Sequence, residues 1–376
     1  MTTNTPNPWP EGYPPFHPRR WLSNGHLQTI VGNFLPRTNS LPDPVAQLVE
    51  VSPARPAQST SKSATPSRAQ MPTRIASQVL CECHWQPLPD RPTRPTVIIL
   101  HGLEGSSRSQ YVVGNANKLW QAGCNVIRMN MRNCGGRNYE MARLTPTLYH
   151  SGLSSDVDRV MRFFLETQGL QSIALLGYSM GGNLVLKLAG DLANNAPPQL
   201  RCVVGVSPAV DLAQSADALH HLSNRLYERR FLRALLKRFR RKAVLFPRAF
   251  DPQVASNITS LREFDDRITA LYSGFRDADD YYLRAAASRV LHSITIPALI
   301  LHALDDPFIR FTPETRAAIE SNPNITLLET AHGGHCAFLA DPNPSTGDDG
   351  YWAEQTALRF ILANAATHPN SNSVVS

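Results

Sequence analysis

The segment at 177–181 reads Gly-Tyr-Ser-Met-Gly, and this G-x-S-x-G pattern is typical of nucleophilic serines. An apolar run at 173–177 precedes Ser179, and a segment with apolar residues at helical spacing follows it. The flanking glycines leave room for a tight turn that projects the Ser179 hydroxyl toward the N-terminus of the next helix. The pattern alone often arises by chance, but between a strand and a helix it predicts a catalytic nucleophile.

A nucleophilic serine needs a general base and a carboxylate that orients the base, because an alcohol is a poor nucleophile at neutral pH. The carboxylate is expected after the apolar run at 298–303, where Asp305 and Asp306 precede a proline. We favour Asp306, because a turn that places the carboxylate directly before Pro307 suits this position. Asp305 is then a turn residue.

The general base is expected after the apolar run at 325–329, in the segment His-Gly-Gly-His-Cys at 332–336. This segment and the two aspartates lie just past strand ends, where the sites of parallel sheets form. We favour His335, because the two glycines before it let the loop bend toward the serine. For His332 we expect an ordinary structural role.

A third segment, His-Gly-Leu-Glu-Gly at 101–105, follows another apolar run and has the form of an oxyanion loop. We expect the backbone N–H groups of Leu103 and Met180 to hold the oxyanion of a tetrahedral intermediate. Tyr178 and His101, beside these two groups, are expected to contact the substrate. The loop lacks both the G-x-G-x-x-G pattern and a P-loop lysine, so we discount a nucleotide site.

A parallel sheet would position these groups, because short apolar runs alternate with helix-length segments from residue 96 onward. The runs typical of buried parallel strands lie at 97–100, 125–130, 173–177, 202–206, 298–303 and 325–329. The predicted fold class is α/β, with a doubly wound, mostly parallel sheet. Roughly ninety residues separate the fourth and fifth runs, where a crossover needs about a dozen or two, so an inserted helical cap is predicted there.

The remaining chain is divided around this core by its composition. Prolines interleaved with Ser, Ala, Gln and Thr are typical of a flexible segment, and an Asn/Ser-rich end is typical of a frayed tail. The predicted divisions are an N-terminal arm packed on the catalytic domain (1–37), a flexible Pro/Ser-rich loop (38–71), the α/β core (72–208 and 291–365), the helical cap (209–290) and a disordered tail (366–376).

Composition also bears on the cellular setting and on cofactors. With 376 residues, of which 42% are hydrophobic, the chain can bury a large core. Its six cysteines include no CxxC pair and no His/Cys cluster at zinc-ligand spacing, so we expect reduced thiols and no metal site. The sequence has neither a signal-peptide pattern nor an apolar stretch of about 18 residues, which predicts a cytoplasmic protein.

Much of the formal charge of +7 lies at 225–242, which reads RLYERRFLRALLKRFRRK and has the pattern of an amphipathic helix. The predicted apolar face holds Phe231, Leu232, Leu235, Leu236 and Phe239, and the basic face holds Arg229, Arg230, Arg233, Lys237, Arg240 and Arg241. The basic face is either a solvated surface of the cap or a contact site for an anionic membrane or substrate. Nucleic acid is a poorer partner, because no aromatic stacking platform or base-reading motif accompanies the charge.

Six longer segments add specificity to these patterns. They read PRRWLSNGHLQTI (18–30), HGLEGSSRSQY (101–111), MNMRNCGG (129–136), GYSMGGN (177–183), ALDDPF (303–308) and HGGHCAF (332–338). Together they resemble the YheT-like branch of the α/β-hydrolases over most of the chain, with 38–71 as an insertion peculiar to this protein. The resemblance implies the α/β-hydrolase fold and hydrolysis of carboxylic esters by Ser179, Asp306 and His335, without a metal or organic cofactor.

The resemblance leaves the substrate open, because members resemble short-chain esterases in bacteria and lipid-directed hydrolases in eukaryotes. Small-molecule and lipid esters are therefore both expected substrates. Acyl thioesters are the nearest alternative, since the same triad cleaves them, and a non-catalytic binding protein that has kept the fold is another. His26 could approach the site, although we favour a packing role, and Arg132, Asn133 and Gly135 would shape the pocket rim or form a hydrogen-bonded turn.

Overall fold

The computed structural model describes residues 12–53, 76–136 and 140–365. Their centre is one eight-stranded sheet with strands in the order β1-β2-β4-β3-β5-β6-β7-β8. The strands are β1 (Val45–Ser52), β2 (Ser77–His84), β3 (Thr96–Leu100), β4 (Asn125–Met129), β5 (Ile173–Tyr178), β6 (Leu200–Val206), β7 (Ala298–Ala303) and β8 (Ile325–Thr330). Within the described residues β2 is antiparallel to its neighbours β1 and β4, and the other pairings are parallel.

Helices cover both faces of the sheet and connect its parallel strands. In the described residues the helices are α1 (Gly25–Phe34), α2 (Gln110–Gln121), α3 (Glu140–Leu144), α4 (Ser154–Gln168), α5 (Met180–Leu192), α6 (Leu212–His220), α7 (Arg225–Leu245), α8 (Leu261–Phe264), α9 (Leu271–Ser273), α10 (Ala278–Ala285), α11 (Pro313–Ser321) and α12 (Trp352–Ala365). None of them combines the length and the apolar content needed to cross a membrane.

Two apolar cores form because successive side chains of a strand point to opposite faces of the sheet. Ile98 of β3 lies in the core shared with α4 and α5, and Ile99 lies in the core shared with α2 and α12. Strands β3 to β7, except for one half-buried position in β6, are buried, which explains why they read as continuous apolar runs. The prediction of a doubly wound, mostly parallel sheet is confirmed.

The chain between β6 and β7 is helical and lies over the sheet. It holds α6 to α10, together with a π-helical turn at Asp265–Ala270. Leu232, Leu235 and Phe239 of α7 are buried against the core, as the apolar face of the amphipathic pattern requires. Of the predicted basic face, Arg229, Arg230, Arg233, Lys237 and Arg240 are exposed, but Arg241 is half-buried and does not belong to that surface.

The prediction of a flexible loop over 38–71 is wrong for Val45–Ser52, which forms strand β1. This strand pairs with β2 and buries Val49 and Val51 in the core. Its period-2 pattern is short and flanked by prolines, which are tolerated at an edge strand, so the composition of the whole segment concealed it. The rest of the predicted loop at 54–71 and the predicted tail at 366–376 lie outside the described residues.

Candidate active site

Ser179 occupies a sharp turn between β5 and α5. Its backbone has φ 54°, the left-handed region that a non-glycine residue seldom adopts, and such strain is often found at functional sites. The turn also requires small neighbours, because a Cβ on Gly177 would lie 2.1 Å from the carbonyl oxygen of Gly181. The two glycines of the motif therefore allow the turn that projects Ser179 above the end of the sheet.

The side chains of His335 and Asp306 pair as the sequence predicts. The Nδ1 atom of His335 lies 2.8 Å from Oδ2 of Asp306, and the backbone N–H groups of Phe308 and Ile309 donate to Oδ1 at 3.0 Å each. Burial alone would lower the pKa of the His335 imidazole, but the Asp306 carboxylate outweighs burial and raises it. The same pairing overcomes the burial of Asp306 and lowers the pKa of its carboxyl, so this carboxylate stays ionised.

The alternative pair, Asp305 and His332, lies on the same loops but is arranged differently. Their facing atoms, Oδ2 and Nδ1, are 3.5 Å apart, and the His332 side chain is half-exposed. The other oxygen of Asp305 accepts a hydrogen bond of 2.8 Å from the backbone N–H of Gly334. Asp305 thus fixes the loop that carries His335 and does not itself orient that ring.

The predicted oxyanion loop passes directly beside the serine. A Cβ on Gly102 would lie 3.1 Å from the Cβ of Ser179, so the backbone at 102–103 approaches the nucleophile closely. Among the described residues, nothing accepts a hydrogen bond from the backbone N–H of Leu103 or of Met180. Two unpaired amides next to Ser179 are what an oxyanion would bind.

His101 and Tyr178 do not contact the site cavities, which corrects the prediction that they bind substrate. His101 is buried and accepts at Nε2 from the backbone N–H of Met131 (3.1 Å), so its Nδ1 donates to the carbonyl of Gly102 (2.7 Å). Burial lowers the pKa of His101 to about 4, which keeps the ring neutral. The Tyr178 hydroxyl accepts from Asn115 at 2.8 Å inside the core. Both side chains therefore stabilise the turns of the site and do not line its cavities.

Two cavities meet at Ser179. The outer cavity, about 490 Å³, lies between α1, the oxyanion loop and α7, and its lining includes Phe34, Leu103, Tyr227, Arg230 and His335. The inner cavity, about 120 Å³, lies beneath the cap, and its lining includes Leu103, Leu212, Leu219, Phe231 and Leu235. The serine therefore lies where a cavity near the surface meets a cavity beneath the cap.

The loop that carries His335 is braced by residues whose role the sequence did not reveal. The hydroxyl of Thr29 in α1 accepts from the backbone N–H of His335 at 2.8 Å, and the hydroxyl of Ser207 accepts from that of Cys336 at 3.0 Å. The side chain of Gln28 bonds to both the N–H and the carbonyl of Leu339. The segment at 18–30 was a distinctive motif, but no local pattern connects it with a loop three hundred residues away.

The remaining candidates have structural roles. The His26 ring stacks on Tyr227 with ring centroids 5.8 Å apart, in agreement with packing of the arm. Arg132 forms a buried two-point ion pair with Asp156 (2.6 and 2.5 Å), and a Cβ on Gly135 would lie 2.4 Å from the Asn130 side chain. Of the two interpretations of this segment, the hydrogen-bonded turn is the one that the structure supports.

The fold is that of an α/β-hydrolase. The sequence profile of the alpha/beta hydrolase fold matches residues 95–342, and the chain belongs to this family. Over 331 residues the chain is 29% identical to YheT of Escherichia coli (strain K12), whose name proposes an esterase, with 86% of this chain and 87% of YheT covered. The resemblance to the YheT-like branch is thereby confirmed.

Two further relatives carry names with a stated activity. Phospholipase ABHD3 of Mus musculus is 31% identical over 270 residues, which cover 71% of this chain and 61% of that protein. Monoacylglycerol lipase of Saccharomyces cerevisiae is 26% identical, with 71% of this chain and 59% of the lipase covered. The chain thus spans about three fifths of the length of these two relatives.

Proposed function

We propose that this protein is a serine hydrolase that cleaves carboxylic esters through an acyl-enzyme on Ser179. The observation that carries the proposal is the convergence of a strained serine, a buried Asp306–His335 pair and two unpaired amides at one cavity. The names of the relatives, an esterase, a phospholipase and a monoacylglycerol lipase, are in keeping with ester substrates. The cytoplasmic location expected from the sequence stays a prediction.

In the proposed mechanism the Ser179 hydroxyl attacks the ester carbonyl and transfers its proton to His335. Asp306 remains ionised and stabilises the imidazolium that forms. The N–H groups of Leu103 and Met180 bind the oxyanion of the tetrahedral intermediate. Collapse of this intermediate expels the alcohol, which takes the proton from His335. A water molecule, deprotonated by the same histidine, then attacks the acyl-enzyme and releases the acid.

We place the two parts of the ester in the two cavities. The inner cavity is enclosed mainly by apolar side chains of the cap, so it suits the acyl chain, and its volume of about 120 Å³ favours a short one. The outer cavity opens to the surface and contains Arg230, so it suits the alcohol portion. A small-molecule ester fits both compartments, and a lipid ester fits if its longer part extends through the outer one.

Replacement of the nucleophile tests the proposal. Ser179→Ala should abolish covalent labelling by a fluorophosphonate and lower kcat for p-nitrophenyl acetate by about 10³-fold or more, while circular dichroism stays unchanged. Ser256→Ala, which changes an exposed serine that lines neither cavity, is the control and should keep both the labelling and the turnover. Labelling that survives in the Ser179 variant would assign the nucleophile elsewhere, and absence of labelling in the wild type would favour a binding protein.

Thioester hydrolysis is a second candidate, and a feature of α7 favours it. Arg230 and Ala234 line both the outer cavity and a groove on the exposed face of α7 that also contains Arg229, Arg233 and Lys237. A phosphate-bearing leaving group such as coenzyme A could therefore leave Ser179 along a basic path. Turnover of acetyl-CoA and of p-nitrophenyl acetate should be compared directly. A kcat/KM for acetyl-CoA far above that for the ester would make the protein a thioesterase.

The same exposed face of α7 is proposed to contact anionic membranes. Arg229, Arg233, Lys237 and Arg240 are exposed there, and Leu226 and Phe34 expose apolar surface beside them. The guanidinium of Arg230 lies 6.0 Å from the Phe34 ring, so charged and apolar groups border the mouth of the outer cavity together. A basic surface with apolar residues is suited to an anionic lipid interface.

Vesicle sedimentation tests the membrane contact. Attraction of about 1 kcal/mol per basic residue predicts that the protein binds phosphatidylserine vesicles and that salt weakens this binding. The protein should not bind neutral vesicles. Binding should be lost in Arg233→Glu/Lys237→Glu/Arg240→Glu. A variant with the same change of net charge elsewhere, Arg94→Glu/Arg159→Glu/Arg359→Glu, should still bind. Equal sedimentation with both vesicle types, or equal losses of binding in the two variants, would mean that the basic face of α7 is only a solvated surface.

A further inference from the structure

We propose that Arg238 of the cap helix α7 is a positioning residue that holds the oxyanion loop in its working conformation through Glu104. The inference rests on the proposed function, because it assigns Leu103 to the oxyanion hole. Leu103 is preceded by a residue fixed to the sheet and followed by a residue fixed to the cap. In this proposal the cap not only lines the acyl pocket but also positions the N–H group of Leu103.

The sheet side of the loop is fixed at Gly102. The Gly102 N–H donates to the Tyr111 hydroxyl at 2.8 Å, and the Gly102 carbonyl accepts from His101 at 2.7 Å. The Tyr111 ring in turn stacks on Tyr178 with centroids 4.6 Å apart. These bonds fix the peptide group before Leu103 relative to the strand that leads to Ser179.

The cap side of the loop is fixed at Glu104, which adopts the left-handed conformation at φ 58°. A residue with a side chain does not prefer this conformation, so contacts around it must maintain it. Arg238 donates from Nε to one Glu104 oxygen at 2.8 Å and from Nη2 to the other at 3.0 Å. Such two-point pairing fixes the orientation of a carboxylate as well as its position.

Two further groups complete the attachment. The Tyr149 hydroxyl donates to Glu104 Oε1 at 2.5 Å and accepts from the Glu104 N–H at 3.3 Å. Arg238 also donates to the backbone carbonyl of Asn133 and lies over the Tyr149 ring, 5.5 Å from its centroid. The ion pair is mostly shielded from solvent, where charge interactions are stronger than at the surface.

The helix that supplies Arg238 also contacts the substrate pocket. Phe231 and Leu235 of α7 line the inner cavity, while Arg238 lies one turn further along the helix. A shift of α7 would therefore move the acyl pocket and Glu104 together. An ion pair that served only to attach the cap would affect substrate binding and stability, whereas the proposed role affects transition-state stabilisation.

Four variants separate these two roles: Arg238→Lys, Arg238→Met, Glu104→Gln and the double variant Arg238→Met/Glu104→Gln. We expect kcat for p-nitrophenyl acetate to fall about tenfold or more in Arg238→Met and in Glu104→Gln, with KM changed less than threefold. Affinity for a trifluoromethyl ketone, whose adduct places an oxyanion in the same hole, should fall in parallel with kcat. Arg238→Lys keeps the charge but not the two-point geometry and should recover part of the loss.

The double variant should be no slower than the slower single variant, because both changes break one connection. Arg262→Met is the matched control, since Arg262 forms cap ion pairs with Asp217 and Asp279 that do not reach the oxyanion loop, and it should keep wild-type kcat. If Arg238→Met does not fold, Arg238→Lys and Glu104→Gln provide the comparison. A rise in KM with unchanged kcat, or additive losses in the double variant, would overturn the proposal.

The wild type distinguishes failure of this inference from failure of the proposed function. Turnover that requires Ser179 but is insensitive to Arg238 and Glu104 rejects the positioning role alone. Absence of any turnover or labelling that requires Ser179 rejects the proposed function, and the role of Arg238 is rejected with it.

Discussion

At the scale of single residues, hydrogen bonds to the carboxylates distinguish the two neighbouring Asp–His pairs. One carboxylate oxygen of Asp306 pairs with the His335 imidazole, and the other accepts hydrogen bonds from two backbone N–H groups. Both oxygens therefore have partners, which fix the position of the carboxylate. In Asp305, one carboxylate oxygen accepts a hydrogen bond from the backbone N–H of Gly334, and the side chain lies nearer to solvent. A buried, ionised and fully bonded carboxylate is the one that can hold an imidazolium through the reaction.

These differences predict unequal effects of matched substitutions. Asp306→Asn and His335→Ala should each lower kcat by about 10³-fold or more, whereas Asp305→Asn and His332→Ala should cost about tenfold or less. The measurement is steady-state hydrolysis of p-nitrophenyl acetate with folding checked by circular dichroism. A larger loss in Asp305→Asn or His332→Ala would mean that the roles of the two pairs are exchanged.

The Asp306 carboxylate also predicts the direction of the pH dependence. In the proposed mechanism His335 must be neutral to accept the serine proton, so activity should be lost as pH falls through its pKa. Because Asp306 raises that pKa, the acid limb of kcat/KM should lie above the ordinary histidine value of about 6.5. In Asp306→Asn the limb should move to lower pH along with the loss of rate. A limb that stays in place would show that another group controls it.

Placement of residues that depends on local order along the chain could be predicted from the sequence, and placement that depends on packing could not. Ser179, Asp306 and His335 each follow a strand in a recognisable turn, so their meeting at one edge of the sheet was foreseeable. His101 and Tyr178 lie in the same turns, but their side chains point into the core, and a sequence motif does not state which way a side chain points. Both were therefore wrongly expected to bind substrate.

At the scale of elements, buried strands and amphipathic helices were predictable because their periods are strong and local. Strand β1 was missed because an edge strand needs only one apolar face, and the buried face of β1 holds just Val49 and Val51 in a segment flanked by prolines. The contact of α1 with the loop that carries His335 was also missed, because it joins Thr29 to a residue 306 positions away. Long-range hydrogen bonds have no signature in a single sequence.

That contact gives a prediction for α1. Thr29→Val keeps the shape of the side chain but leaves the partly buried N–H of His335 without an acceptor. We expect kcat to fall about tenfold and the free energy of unfolding to fall by about 1–3 kcal/mol. Thr29→Ser retains the hydroxyl and should behave like the wild type in kinetics and in urea unfolding. Wild-type kcat in Thr29→Val would show that the loop holds His335 without help from α1.

At the scale of the whole molecule, residues near the start of the described chain pack against residues near its end. Phe16 packs between Phe338 and Trp352, with ring centroids 5.8 and 5.5 Å away. The indole N–H of Trp352 donates to the carbonyl of Pro14 at 3.0 Å. The arm that carries Thr29 is thus anchored on both sides of α1, by these rings before it and by the Arg37–Glu354 ion pair after it.

Removal of the Phe16 ring tests this anchoring. Phe16 is 9% exposed and sits against two aromatic rings, so Phe16→Ala should lower the free energy of unfolding by about 3 kcal/mol. Trp21→Ala is the matched control in the same arm, because Trp21 is 64% exposed and its loss should change stability by about 0.5 kcal/mol or less. Urea unfolding followed by circular dichroism measures both.

Since a loosened arm also loosens the contact between Thr29 and the His335 loop, kcat should fall in Phe16→Ala and not in Trp21→Ala. Equal stability of the two variants would mean that the rings around Phe16 do not anchor the arm.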